Sequence, residues 1–324
     1  MNPFANWGLG YRGQETLEWL REQLLTSGQT TGGKRNPENV YYVDDVNGLD
    51  ANDGLSPATP FKTIMKGLNM ARRITGSTTI DDTKDHQGFV FVAPGHYNEQ
   101  LLFSGYGVHL VGLGSPVPGK DYGVSINYSG AVVAAPSVVA FTGSGNSIRN
   151  VHVTVGAVAL PAIYMAVPGD NNLIEGCVLE GDGATATVGI EAESLKGSWI
   201  RGCVINGFVT AGIRSVGVAD SYAINGGIED CQIFAPTAAG AKGIFMDVNM
   251  VAYNFRINHN FIDVKGGGAT GKGIDLDFAG LVFVTDNYIV AAAGTVFEAA
   301  QAGGVFNNHT YNGTNIIDPN RAAA

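Results

Sequence analysis

Charge is scarce in this sequence: 15% of its 324 residues are Asp, Glu, Lys or Arg, and acids outnumber bases 29 to 19. A net charge of −10 with no basic stripe excludes a nucleic-acid partner, since phosphate contacts need clustered Lys and Arg, and Arg72-Arg73 is the only local cluster. No run approaches the roughly 20 apolar residues of a membrane span, and no membrane partner is expected. The start, MNPFANWGLG, lacks a basic region followed by an apolar core, so no signal peptide is visible. Cysteine is equally sparse: Cys177, Cys203 and Cys231 are too few for a disulfide framework. The six histidines are scattered without metal-ligand spacing, and no Gly-x-Ser-x-Gly setting occurs.

What is abundant is glycine, 46 residues, together with a recurring phrase. NNLIEGCVLEG, GSWIRGCVING, GGIEDCQIFA, RINHNFIDV and FVTDNYIVA share an aliphatic anchor. It falls at Ile148, Ile174, Ile200, Ile228, Ile257 and Val284, with gaps of 26, 26, 28, 29 and 27 residues. A period in that range marks a solenoid whose coils bury their apolar faces only by stacking. A second phrase keeps step, at Ala162-Ile163, Gly189-Ile190, Gly212-Ile213, Gly243-Ile244 and Gly273-Ile274, with a degenerate copy at Val296-Phe297. Both alternate apolar and polar residues and are short and β-branched, which predicts strands. A strand that returns once per coil must pair parallel to its predecessor, so the expected fold is all-β: a right-handed, single-stranded parallel β-helix. The three cysteines share one slot of consecutive coils, later held by Asn260 and Asn287, which predicts a buried column of free thiols.

The first third is organised differently. Residues 13–26, GQETLEWLREQLLT, place Leu17, Leu20 and Leu24 on one helical stripe beside Trp19, after a lead carrying Phe4, Trp7 and Tyr11. This N-terminal helical arm, with its linker, spans 1–39. It has two readings: packing on its own β-helix, or docking on a partner or on sister chains. Residues 40–87 form an entry strand and a helix that starts at Pro60, with Phe61, Ile64, Leu68 and Ala71 at helical spacing, suited to capping the open end of the β-helix over 88–324. Asp45, Asn47, Asp50, Asn52 and Asp53 supply hard oxygens that could hold calcium, although Asp, Asn and Gly are also what tight turns demand. No other cofactor is expected.

The string YYVDDVNGLDANDGLSPATPFKTI resembles the entry segment of the pectate-lyase-like parallel β-helix superfamily, and GFVFVAPGHYNEQLLFSGYGVHLVGLGSP is similar to its first coil, with a Pro-Gly-x-Tyr-x-Glu turn. The superfamily includes polysaccharide lyases, hydrolases, epimerases and phage virion proteins. The resemblance therefore implies a fold more firmly than an activity. Enzymes on this fold carry carboxylates on an outer strand face. If the second-phrase isoleucines point inward, Tyr164, Glu191, Arg214, Phe245, Asp275 and Glu298 form one outward column, and Asp247 and Asp277 belong to the next. Asp247, Asp275 and Asp277 are thus the catalytic candidates for glycoside hydrolysis or lyase chemistry. The further motifs of polygalacturonases, pectin esterases and pectate lyases are missing.

An arm, a β-helix and no recognisable active-site motif together resemble phage spike, fibre and capsid decoration proteins. The expectation is a structural virion protein, homotrimeric, attached to other virion proteins through residues 1–39 and in contact with host-surface polysaccharide. The alternative is a tailspike-like polysaccharide-degrading enzyme using the acidic face.

Overall fold

The computed structural model describes residues 40–72, 88–114, 116, 123–128, 136–167, 169–217, 222–234, 239–290, 297–301, 304–306, 309–311 and 316–317, without the side chains of 267–269, 278–280 and those beyond 290. The seven residues expected to dock partners, Phe4, Trp7, Tyr11, Leu17, Trp19, Leu20 and Leu24, lie outside this set.

Each coil contributes three short strands to three stacked parallel sheets. The first sheet begins with β1 (Val40–Val43) and continues through Gly88–Val92, Val108–Gly112, Ser147–Arg149, Leu173–Glu175, Trp199–Arg201 and Gly227–Glu229. The second runs from Gly95–Tyr97 to His309–Tyr311. The third includes Ile163–Met165, Val188–Ala192, Ala211–Ser215 and Lys242–Met246. Lys272–Thr285 is one long strand that crosses from the third sheet into the first. Every anchor of both repeated phrases pairs with its counterpart. Ile148, Ile174, Ile200, Ile228, Ile257 and Val284 are in register, as are Ile163, Ile190, Ile213, Ile244, Ile274 and Phe297. This is the expected all-β parallel β-helix. At the far end Ile316–Ile317 pairs antiparallel with Thr310–Tyr311, which closes the last edge of the second sheet.

The corner between the first and second sheets shows why the cysteines and asparagines recur. The bend is made by Asn150, Gly176, Gly202, Asp230, His259 and Asp286, all at φ between 54° and 62°. Residues that tolerate a left-handed backbone are therefore required there. From Gly176 onward the next residue points inward and donates to the anchor carbonyl one coil back. Cys177, Cys203 and Cys231 Sγ lie 3.7 Å from the oxygens of Ile148, Ile174 and Ile200, and Asn260 and Asn287 Nδ2 lie 3.0 and 2.9 Å from those of Ile228 and Ile257. The thiols are free and buried, as the sequence predicts, and occupy the place of an amide ladder.

The entry segment closes the other end. Helix α1 (Ile64–Ala71) buries Ile64, Gly67, Leu68 and Ala71 against the first coils. Gly67 is required by close approach: a Cβ there would lie 2.8 Å from Val90 Cγ1 and 3.0 Å from Val43 Cγ2. The helix begins later than Pro60 suggests. Phe61 is extended and bridges Val43, its N–H donating to the Tyr42 carbonyl while its own carbonyl accepts from Asp44. Thr63 is the N-cap, its hydroxyl accepting from Lys66 N–H at 3.3 Å, and distant carboxylates meet the neighbouring donors. Asp50 accepts from the N–H groups of Lys62 and Thr63, and Glu99 accepts from Ile64 N–H at 2.8 Å and Met65 N–H at 3.0 Å. Burial raises the Glu99 pKa, opposed by those two backbone bonds, with the Asp50 charge raising it further. The two motifs that resemble the pectate-lyase-like entry are thus one hydrogen-bonded unit. Glu99→Ala, which leaves two donors at the helix start unmet, is expected to destabilise the chain by about 2 kcal/mol, read as a lowered thermal midpoint.

Candidate functional site

The outer face of the third sheet carries the candidate acids, and register places its first outward column as the alternation predicts: Tyr164, Glu191, Arg214, Phe245, Asp275 and Glu298 are successive partners. Two clusters form. In the first, the Tyr164 hydroxyl donates to Glu193, which also accepts from Val167 N–H, and Arg214 lies 3.7 Å from Glu191. Burial raises the Glu191 pKa, Arg214 opposes this, and the Glu193 charge adds to it. The Tyr164 hydroxyl is likewise pushed up, by burial first and then by Glu193.

The second cluster holds the three candidate acids. Lys242 and Lys272 are register partners on adjacent coils, and their Nζ atoms lie 2.6 and 3.1 Å from Asp275 Oδ2. The Lys242 ammonium also sits 3.3 Å from the centroid of the Phe245 ring. Asp275 occupies an outward position, yet it is fully buried, because both lysine side chains fold back over it. Asp277, half exposed, follows two residues on along the same strand and feels the Asp275 charge. Its pKa is raised, by desolvation first and then by the Asp275 charge, with Lys242 and Lys272 pulling the other way. Asp247 is engaged in its own turn, where its Oδ1 accepts from Asn249 N–H at 3.2 Å. The structure therefore brings Asp275 and Asp277 together, adds Lys242 and Lys272, and leaves Asp247 bonded locally.

The raised Asp277 carboxyl has a thermodynamic sign. The folded chain holds this proton more tightly than the unfolded chain. Its stabilising contribution is complete below the unfolded pKa and is lost as pH rises through the folded value. Asp277→Asn is expected to leave the urea midpoint unchanged near about pH 3 and to raise it slightly near pH ~7, by less than about 1 kcal/mol at so exposed a side chain. Urea titrations at the two pH values check this.

The oxygens proposed for calcium serve mainly the entry turn. Asp44 Oδ1 accepts from Val46 and Asn47 N–H, Asn47 Nδ2 donates to Asp44 Oδ2, and Asp45 Oδ2 accepts from His96 N–H. Asp50 holds the residues just before α1 through Lys62 N–H, Thr63 N–H and the Thr63 hydroxyl, Asn52 Nδ2 donates to the Pro60 carbonyl at 2.8 Å, and Asp53 Oδ1 accepts from Leu55 N–H and the Thr59 hydroxyl. The bonds from Thr59 and Leu55 hold the Asp53 pKa below the usual carboxylate range. Among the described residues no group of three or more His, Cys, Asp or Glu side chains converges as a metal site would. A hollow of about 460 Å³ at the entry end is lined by Tyr41, Asn52, Asp53, Leu55, Phe61, Lys66 and Met70.

Sequence reasoning missed a buried polar ladder where each coil enters the first sheet. Val108 N–H donates to Asn146 Oδ1, Asn146 N–H to Asn172 Oδ1, and Asn172 N–H to Ser198 Oγ. The signal was available in the spacing of 26 residues between Asn146 and Asn172 and again between Asn172 and Ser198.

Comparison with known proteins adds the fold and little more. No protein-family model matches the chain, and no curated protein does. Among solved structures, a pectate lyase aligns over 91% of this chain and 83% of its own, with a TM-score of 0.51 at 16% identity. A pectin methylesterase aligns over 81% of this chain and 92% of its own, with a TM-score of 0.42 at 12% identity, and the Dettilon tailspike protein over 83% and 56%, with 0.43 at 13%. The likeness to the pectate lyase agrees with the class the register defines, a parallel β-helix, and at such identity it extends to fold alone.

Proposed function

We propose that the chain is a structural protein of a bacteriophage virion: an oligomeric β-helix, trimeric in its simplest form, that decorates a capsid or extends a spike or fibre. It attaches through residues 1–39 and presents its sheet faces to host-surface polysaccharide. The observation that carries this reading is how the outer charges are used. Arg149 pairs with Glu175 and Arg201 with Glu229, each at 3.2 Å, Lys196 with Asp170 at 3.0 Å and Lys242 with Asp275 at 2.6 Å, and the His152 ring is hydrogen-bonded to Glu180 at 2.8 Å. Every one of these joins neighbouring coils, so the acids stiffen a rod along its axis. A rod of this kind suits a part that holds a position on a particle.

A second reading, a polysaccharide-degrading enzyme, is favoured by one observation: Asp277 carries a raised pKa beside a second carboxyl, as a general acid requires. Native mass measurement of the full chain, together with incubation on bacterial surface polysaccharides, separates the two. The virion reading expects a trimer and intact polysaccharide. Cleavage that disappears in Asp277→Asn would sink it in favour of the enzyme.

A further inference from the structure

The outer face of the first sheet changes character along the stack. Its two outward columns begin with three rungs that are apolar or aromatic: Val40 and Tyr42, then Phe89 and Phe91, then Val111 beside the imidazole of His109, which is bonded to Ser147. From the fourth rung the same columns carry Ser147 and Arg149, then Leu173 and Glu175, then Trp199 and Arg201. The apolar rungs form a cluster of their own, separate from the interior core. Although they lie on an outward face, Phe91 is only 5% exposed, Val111 2% and, at the strand's end, Leu113 1%. The rings lock together, with Phe89 centred 6.5 Å from Phe91 and 4.9 Å from His109, and Tyr42 5.8 Å from Phe91. Burial also raises the Tyr42 hydroxyl pKa.

We infer that this patch is the seat of the amphipathic segment 13–26 of the same chain, laid with Leu17, Leu20 and Leu24 against Phe89, Phe91 and Val111. Three features select this occupant. Residue 39 joins directly to Val40, which is itself part of the patch. The 13 residues from 27 to 39 reach at most about 45 Å, ample to fold the segment back. The dimensions agree: Leu17 to Leu24 spans about 10 Å at 1.5 Å per helical residue, and three rungs at about 4.8 Å spacing span about 10 Å. Seated this way, the segment turns Glu15, Glu18, Arg21 and Glu22 toward water and leaves the aromatic lead, Phe4, Trp7 and Tyr11, projecting for a partner. The inference does not rest on the virion reading and is tested without a particle.

Limited trypsin digestion of the full chain reads it directly. Lys34 and Arg35, in the linker, should be cut at least about tenfold faster than Arg21 on the seated segment, since cleavage tracks local opening. Leu20→Glu on the segment, or Phe89→Glu on the seat, should abolish the protection of Arg21 while far-UV circular dichroism keeps the β-helix signal. Leu20→Glu cannot disturb the coils, so it keeps the test valid if Phe89→Glu fails to fold. Equal cutting at Arg21 and Lys34 in the unaltered chain would overturn the inference. So would protection that survives Leu20→Glu, or protection lost on dilution, which would assign the seat to a sister chain's arm.

Discussion

Asn172→Ala is expected to destabilise the chain by about 3–5 kcal/mol. Asn172 is 1% exposed, and its Nδ2 donates to the carbonyls of Gly143 at 3.0 Å and Gly169 at 2.9 Å while its Oδ1 accepts from Asn146 N–H at 2.9 Å. Alanine leaves three buried backbone groups without partners, each costing about 1–3 kcal/mol, and opens a small void beside them. Asn172→Ser should recover part of the loss, because Ser198 fills the same slot one coil on. Asn249→Ala, at an exposed asparagine bonded to Asp247 and Gly217, should shift stability by less than about 0.5 kcal/mol. Urea unfolding of the three variants checks the order. Equal midpoints for Asn172→Ala and Asn249→Ala would show that the ladder does not hold the coils.

The second large effect is expected at Asp275. Asp275→Ala removes a fully buried carboxylate whose Oδ2 lies 2.6 and 3.1 Å from the Lys242 and Lys272 ammoniums, register partners on adjacent coils. Breaking a buried pair by deleting one partner costs about 3–5 kcal/mol, mostly from the charge left behind. A double change, Asp275→Ala with Lys272→Met, should therefore be more stable than Asp275→Ala alone, which is the reverse of additive behaviour. If the double variant is the weaker of the two, the cluster does not act as a closed ion-pair network. Thermal melts of the three proteins decide this.

Much of the fold was legible because two periodicities coincide. The recurrence of Gly-Cys, Asp-Cys and His-Asn at one slot set the stacking register, whereas strict alternation from Ile174 puts Cys177 on the opposite face and fails at the left-handed bend of Gly176, which turns Ile174 and Cys177 both into the core. The acidic face was legible to the same depth, as columns. Its chemistry was not, because the burial of Asp275 depends on how the flexible side chains of Lys242 and Lys272 fold back, which register does not encode. Helix α1 was found but misplaced at its start. Pro60 is a strong local signal, whereas the N-cap is Thr63, three residues on, and the first two helical N–H groups are met by Glu99, 35 residues beyond Ile64. The Asn146–Asn172–Ser198 ladder escaped because its spacing repeats only twice before Gly226 replaces it, where a side chain would strike the Ser198 carbonyl.

The corner column of Asn150, Gly176, Gly202, Asp230, His259 and Asp286 has the same backbone shape although the intervening stretches differ by up to three residues. Differences in loop length are taken up on the outside while the axial step stays constant. The architecture is therefore modular in the way of a stacked column. Duplicating one unit, such as residues 177–202, would add a single step of about 4.8 Å between two unchanged ends. Evolution or an engineer could adjust the reach of this protein as one adds or removes a storey, without redesigning the foundation or the roof.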